Sequence, residues 1–365
     1  MDELLCRLSL TQIPHIGDVQ ARLLVQYFGD ARSVFQASLS ELLAIEGIGE
    51  IRARSINRFR DFAPAEKEIA FLEKYRIRTL FLTDPAYPQR LLHCYDAPVL
   101  LFFKGEANLN ASRILAIVGT RGATEYGRQF TAKLVEELEA HQVMIVSGLA
   151  LGIDSYAHKA ALKYQIPTVG VVGHGLDSIY PPSNASLAKE MVQQGGGILS
   201  EFFSGTPADR HHFPLRNRIV AGLCDATIVV ETHIKGGSMI TAKLADSYNR
   251  DVFALPGRTT DNKSSGCHYL IRNHRANLLT EAKDLLELMG WDDKKPAGKA
   301  QRTLFIELTE QEQMIVDLLQ GKEHRHIDEI NLLSGLSSSA IAAAMLNLEL
   351  QNVVQSLPGK LYRLT

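Results

Sequence analysis

The sequence predicts an α/β protein: a Rossmann-like, doubly wound, mostly parallel sheet, flanked by an N-terminal helix-hairpin-helix-like segment and a C-terminal winged-helix segment. Three observations predict it. From Ile114 onward, short β-branched runs alternate with helical stretches, as right-handed βαβ crossovers require. The first run, Ile114-Leu115-Ala116-Ile117-Val118, ends in the turn Gly119-Thr120-Arg121-Gly122 and opens into a helical pattern from Tyr126 to His141. Later strand ends carry glycine or small polar residues (Gly148-Leu149-Ala150, Gly173-His174-Gly175, Gly236-Gly237-Ser238). Those ends share one rim, where an open α/β sheet binds its ligands.

The chain of 365 residues is long enough for two or three domains. The pattern divides it into 1–62, helical; 63–290, the extended Rossmann-like part with its core from 114; 291–303, a polar linker; and 304–365, the winged helix. A hydrophobic content of 45% with a mean hydropathy of −0.04 fits a soluble globular protein. The net charge of −2 excludes a general attraction for polyanions, so any nucleic-acid surface is a local patch. Cys6, Cys94, Cys224 and Cys267 are scattered, with no pair at metal spacing, and read as reduced thiols. Asp2 and Glu3 precede a helical pattern instead of a signal peptide, and no apolar run is long enough to span a membrane. A cytoplasmic location is expected.

The N-terminal segment holds a near-repeat. Ile13-Pro14-His15-Ile16-Gly17 precedes a helix starting near Asp18, and Ile45-Glu46-Gly47-Ile48-Gly49 precedes one starting near Glu50. Such hairpins turn backbone N–H groups toward a DNA phosphate. Arg52, Arg54, Arg58 and Arg60 follow the second copy, whereas only Arg22 lies near the first. A purely structural helical hairpin fits the same pattern. Next, Arg78–Leu82 and Pro98–Gly105 read as strands that add an edge to the following sheet or lead into it. The regular strands are then Ile114–Gly119, Val143–Ser147, Thr168–Val172, Gly197–Ser200, Ala226–Glu231, Val252–Ala254 and Asn277–Leu279. The C-terminal pattern is three helices, Glu310–Leu319, Ile327–Leu333 and Ser338–Leu350, then a two-stranded wing turning at Pro358-Gly359. Its third helix carries no basic residue and so lacks the electrostatic attraction that dominates DNA binding. That favours protein contact or regulation for this segment.

Arg121 inside the glycine turn adds a cation to a helix start that already favours anions. The turn lacks the full Gly-x-Gly-x-x-Gly fingerprint, so a nicotinamide cofactor is not indicated, and none other is. The most unusual stretch is Gly205-Thr206-Pro207-Ala208-Asp209-Arg210-His211-His212-Phe213-Pro214-Leu215-Arg216-Asn217-Arg218, which reaches the same rim. A flexible single strand needs cations along its backbone and a ring on which a base stacks; Phe213 beside Arg210 and Arg216 offers both. Adjacent His211 and His212 point apart and do not suggest a metal. Asp154 and His158 share a helix face at metal spacing, but read more simply as a helix-start carboxylate and a packed histidine. Gly236-Gly237-Ser238 at a helix start is a phosphate-cradling pattern, with Lys243 in the same helix. It also fits a nucleotide hydrolase that cleaves a base from a ribose phosphate, in which Glu231 would be the local carboxylate.

Ala116-Ile117-Val118-Gly119-Thr120-Arg121, Ser147-Gly148-Leu149-Ala150-Leu151-Gly152-Ile153-Asp154 with Ala157-His158, Gly175-Leu176-Asp177-Ser178-Ile179-Tyr180-Pro181, Phe213-Pro214-Leu215-Arg216-Asn217-Arg218 and Leu255-Pro256-Gly257 together resemble the DNA-processing protein A (Smf) family, over roughly Asp84 to Leu286. The resemblance implies a non-enzymatic binder of single-stranded DNA that protects incoming DNA and loads RecA recombinase in natural transformation. It implies that Arg121 and Arg210 hold phosphates, Gly205 lets the backbone approach the strand and Phe213 contacts a base, with Lys243 at a basic position near the same pocket; Gly119, Arg216 and Asn217, from the glycine turn and the Phe213 stretch, complete the expected DNA site. It also implies a homodimer contact near Tyr269 and Leu278. Three positions depart from the family pattern: Gly236, where serine is usual, His268 for asparagine and Arg275 for glycine. The last two lie by the implied dimer surface.

Overall fold

Nine short runs pair into one sheet among the described residues: β1 (Arg78–Phe81), β2 (Leu100–Gly105), β3 (Ile114–Val118), β4 (Met144–Ser147), β5 (Thr168–Val172), β6 (Gly197–Ser200), β7 (Ala226–Val229), β8 (Asp251–Ala254) and β9 (Asn277–Leu278). Their order is β1-β2-β6-β5-β4-β3-β7-β8-β9. The computed structural model describes residues 2–292, 308–320, 324–351, 353–357 and 360–364. Strands β6 to β9 in that order are parallel, and β1 and β2 run antiparallel as an added edge. β3, β4 and β5 are buried at every residue, as strands covered by helices on both faces must be. The chain winds outward from β3 through β4 and β5 to β6, then crosses back to lay β7 on the other side of β3. The crevice at that reversal, between the ends of β3 and β7, is the natural ligand site of such a sheet.

The helices Asp18–Phe28 and Glu50–Arg58 start at Gly17 and Gly49, as the two hairpins predict. The N-terminal helices share a core with the added edge, in which Leu8, Leu24, Leu42 and Ile56 pack with Phe81 and Phe102. The first hairpin helix is tied down. Arg22 donates to Leu92 O (2.8 Å) and Cys94 O (3.0 Å), and Asp18 accepts from Val99 N (3.0 Å) and pairs with Arg218 (3.0 Å). At the second hairpin, Arg52 donates to His15 O (3.3 Å) and Gly47 O (3.0 Å), while Arg54 pairs with Glu50.

The chain divides into two units, Met1–Asp292 and Asp293–Thr365. In the second, the helices Glu310–Leu319, Ile327–Ser334 and Ser338–Leu350 pack around Ile315, Leu319, Ile330, Ile341, Leu348 and Val354. A three-stranded sheet, β10 (Arg325–His326), β11 (Val354–Leu357) and β12 (Leu361–Leu364), completes the winged helix in the order β10-β12-β11. β10 was not foreseen, because two residues are too few to show a pattern. The expected linker residues 293–303 and the Pro358-Gly359 turn lie outside the described residues. Trp291, expected to open the linker, instead packs on the cluster beneath β3, under the Arg113 guanidinium 5.9 Å away. All four cysteines are buried free thiols, and burial pushes Cys94 up to about 11 and Cys267 to about 12. No single described helix is long and apolar enough to cross a membrane.

Candidate nucleic-acid interface

Two helices begin at the crevice, and they differ. The helix Glu125–Glu137 is capped by Thr124, whose Oγ accepts from Gly127 N (3.2 Å). Glu231, just beyond β7 and only 2% exposed, closes this end. Its Oε2 accepts from Thr124 N (2.9 Å) and its Oε1 from the Thr124 hydroxyl. Thr120 N donates to Glu231 O (2.7 Å) and Gly122 N to Thr120 Oγ (3.3 Å), so these turn amides are also occupied. A side chain at Gly127 would meet the carboxylate at 2.6 Å. The anion that a helix start attracts is therefore supplied by the protein itself. Glu231, the candidate carboxylate of a hydrolase, is an internal cap, although it also borders a cavity of about 810 Å³ with Tyr126, Arg258 and Lys263.

The second helix, Ser238–Ser247, opens onto a cleft of about 540 Å³. Gly119 and Arg121 line it from the end of β3, and Arg210, Phe213, Arg216 and Asn217 from the loop and helix after β6. The structure thus gathers six of the eight DNA-site residues implied by the sequence. Arg121 and Arg210 are exposed at its lip. The Arg121 guanidinium lies over the Phe213 ring at 5.5 Å, in cation–π range. The Tyr180 ring stacks on Phe213 with centroids 5.9 Å apart at 29°. Sequence reasoning gave Tyr180 no role. An aromatic just before Pro181, in a loop leaving a parallel strand, was the available signal.

Beneath the lip, Arg216 is 6% exposed and donates from Nη1 to Val171 O (2.5 Å). It is a floor residue, whereas the sequence places it beside Phe213 among the cations along a strand's backbone. Burial, with help from the Arg121 charge and against that of Asp154, lowers its pKa to about 10. Gly148 makes room for it, since a Cβ there would lie 2.0 Å from Nη1. The Asp154 carboxylate accepts from Gly148 N (3.1 Å) and Ala150 N (3.4 Å). His158 Nδ1 lies 2.7 Å from Thr168 Oγ, whose proton goes to Ile145 O (3.0 Å), so the ring donates from Nδ1. Burial drops its pKa to about 3 and keeps it neutral. Asp154 and His158 thus turn their polar atoms to loop amides and a threonine.

Other expected residues lie elsewhere. Arg218 leaves the rim altogether: it is 9% exposed and paired with Glu201 and Asp18 (3.0 Å). Gly205, at φ 78°, donates its N–H to Asp177 Oδ1 (2.8 Å), and Lys243 is exposed on its helix; neither lines the cleft. His212 stacks on Phe202 (4.4 Å) while His211 Nε2 receives Arg210 Nε (3.1 Å), so the two histidines do part. Tyr269 is half-buried on the helix Ser265–Arg272, and Leu278 is exposed on the edge strand β9. Of the departures nearby, His268 Nε2 sits 2.9 Å from Gly257 O, and Arg275 pairs with Asp246 (3.4 Å).

The model of the DNA recombination-mediator protein A family matches residues 78–290, more than half of the chain. The chain belongs to this family. The DprA winged helix domain matches residues 299–360 and the helix-hairpin-helix motif residues 7–67, so both flanking segments carry the family of fold the sequence predicted. The DNA processing protein DprA of Streptococcus pneumoniae is 43% identical over 205 residues, 56% of this chain and 72% of that protein. Its X-ray structure aligns with a TM-score of 0.68 and 34% identity over 79% of this chain and 98% of that one. Protein Smf of Synechocystis is 32% identical over 98% of this chain and 97% of its own. DNA processing protein A of Helicobacter pylori, solved for its single-stranded DNA binding mode, aligns with a TM-score of 0.54 and 32% identity over 60% of this chain and 97% of that one.

Proposed function

We propose that this member of the DNA recombination-mediator protein A family is a non-enzymatic binder of single-stranded DNA that shields incoming DNA and loads RecA onto it. One observation carries the reading. Phe213, with the Arg121 guanidinium 5.5 Å and the Tyr180 ring 5.9 Å from its centroid, stands at the lip of a cleft placed at the sheet's reversal point. A base stacks on such a ring whatever its identity, while exposed Arg121 and Arg210 follow the backbone phosphates. The single-stranded DNA bound by the H. pylori relative supports this. RecA loading and transformation follow from family membership, and the homodimer would form along β9, with Tyr269 and Leu278 at the contact.

Titration of labelled single- and double-stranded oligonucleotides at two salt concentrations tests it. Single strands should bind more tightly, and affinity should fall steeply with salt. Arg121→Ala and Arg210→Ala should each cost about 1–3 kcal/mol of binding for all sequences alike and flatten the salt dependence. Parental binding by both variants at each salt concentration would overturn the site. The hydrolase reading is disfavoured because Thr124 holds both oxygens of Glu231. Release of free base from nucleoside monophosphates, abolished in Glu231→Gln, would revive it.

A further inference from the structure

We propose that the floor of the cleft is a subsite for a phosphate monoester, held between the start of the helix Ser238–Ser247 and the buried guanidinium of Arg216. The proposal deepens the single-strand reading and depends on it only for the source of the ligand, which is the phosphorylated end of a strand or a free mononucleotide.

The helix start comes first. Gly237 is its N-cap and no side chain caps it, in contrast to the neighbouring helix that Glu231 closes. The N–H groups of Met239 and Ile240 donate back to Gly236 O and Gly237 O (3.1 Å each), which leaves those of Gly237 and Ser238, among the described residues, as the donors free for an anion. The space beside Gly237 is open, since a Cβ there would meet nothing within 4 Å.

Two buried side chains beside this helix start carry polar atoms without a protein partner. Ser238 is 8% exposed, lines the cleft, and its hydroxyl has no hydrogen-bond partner. Arg216 also lines the cleft, and its Nε has no partner. No carboxylate among the described residues lies within ion-pair distance of Arg216. Asp154 borders the same cavity, but its Oδ2 is turned to the N–H groups of Gly148 and Ala150. The buried Arg216 guanidinium has one hydrogen bond, to a backbone carbonyl, and the nearby Asp154 charge to offset its desolvation, so an anion in the cleft would stabilise it further. Phosphate supplies the acceptor oxygens for a guanidinium, a hydroxyl and helix-start amides together.

Depth separates an end from an interior link. Arg121 and Arg210 stand exposed at the lip, where a backbone passes in and out. Arg216 and Ser238 lie below them. An internal diester must leave with chain on both sides and carries one charge. A terminal monoester enters with three free oxygens and nearly two charges, which suits the floor.

The test uses the full chain and one short oligothymidylate bearing a 5′-phosphate, a 3′-phosphate or hydroxyls at both ends, followed by fluorescence anisotropy. Deoxythymidine monophosphate and inorganic phosphate serve as competitors. One phosphorylated end should bind about tenfold more tightly than the hydroxyl-ended strand. That ratio should fall to about one in Ser238→Ala, and in Ser238→Asp, whose carboxylate suits a helix start and repels an anion. Melting temperatures near the parent's would show that both variants are folded. Equal binding whatever the ends, with no competition by either small phosphate, overturns the subsite and leaves the strand reading standing. A ratio that survives Ser238→Asp in folded protein overturns it too. Binding of the mononucleotide without binding of any oligonucleotide overturns the strand reading instead and assigns the subsite to free nucleotides.

Discussion

The helices Glu125–Glu137 and Ser238–Ser247 start on either side of the same crevice, one after β3 and the other after β7. Both follow glycine-bearing turns, and both have the geometry that attracts anions. The first is filled by the protein's own Glu231, while the second faces the cleft with no side-chain cap. A glycine turn before a helix therefore does not by itself mark a phosphate site. A buried carboxylate arriving from the neighbouring strand decides whether that end is structural or free for a ligand.

The largest effect should come from opening the closed end. Glu231→Ala strands the Thr124 N–H and hydroxyl and empties a buried space, and should lower stability by about 3 kcal/mol in urea unfolding. A loss within a few tenths of a kcal/mol would break the contrast between the two ends. Next, the cations at the open end should matter for binding and hardly for folding. Arg121→Ala should lose about 1–3 kcal/mol of single-strand affinity with an unchanged melting temperature. On the helix Ile153–Lys163, which packs beside the closed one, His158 sharpens the comparison through pH. Its folded pKa of about 3 lies under the ordinary imidazole value of about 6.5, so the unfolded chain takes up the proton first as pH falls. Stability should be flat above about pH 6.5 and decline below it, with a His158 contribution of about 1.4 kcal/mol per pH unit, and His158→Gln should lose that slope in acid titration. The smallest effect is at the closed end's cap, where Thr124→Ala should cost about 1 kcal/mol. A cost several times larger would mean that Thr124, and not Glu231, carries the closure.

Much of the architecture was legible. Strand runs separated by helical stretches located every strand from β3 to β9, and for β3 to β7 the reason is that a fully buried parallel strand leaves a continuous apolar signature. The meeting of Arg121, Arg210 and Phe213 at one cleft was legible because cations and a ring crowd into loops at strand ends. The fates of Arg216 and Arg218 were not. They are two positions apart on one helix, which points them in different directions, and one enters the cleft floor while the other pairs with Asp18 and Glu201. Tyr180 was equally hidden, since its partner Phe213 lies 33 positions away and loop paths leave no periodic trace.

By itself the sequence determined the alternation of elements and the rim at which the glycine turns and arginines gather. Periodicity and turn chemistry are local properties, and the topology they allow is narrow. Only the tertiary structure decided which helix start is free and which arginine is left without a carboxylate. Those outcomes depend on whether distant groups such as Glu231 and Thr124, or Asp18 and Arg218, come within hydrogen-bond reach, and burial makes each such pairing decisive.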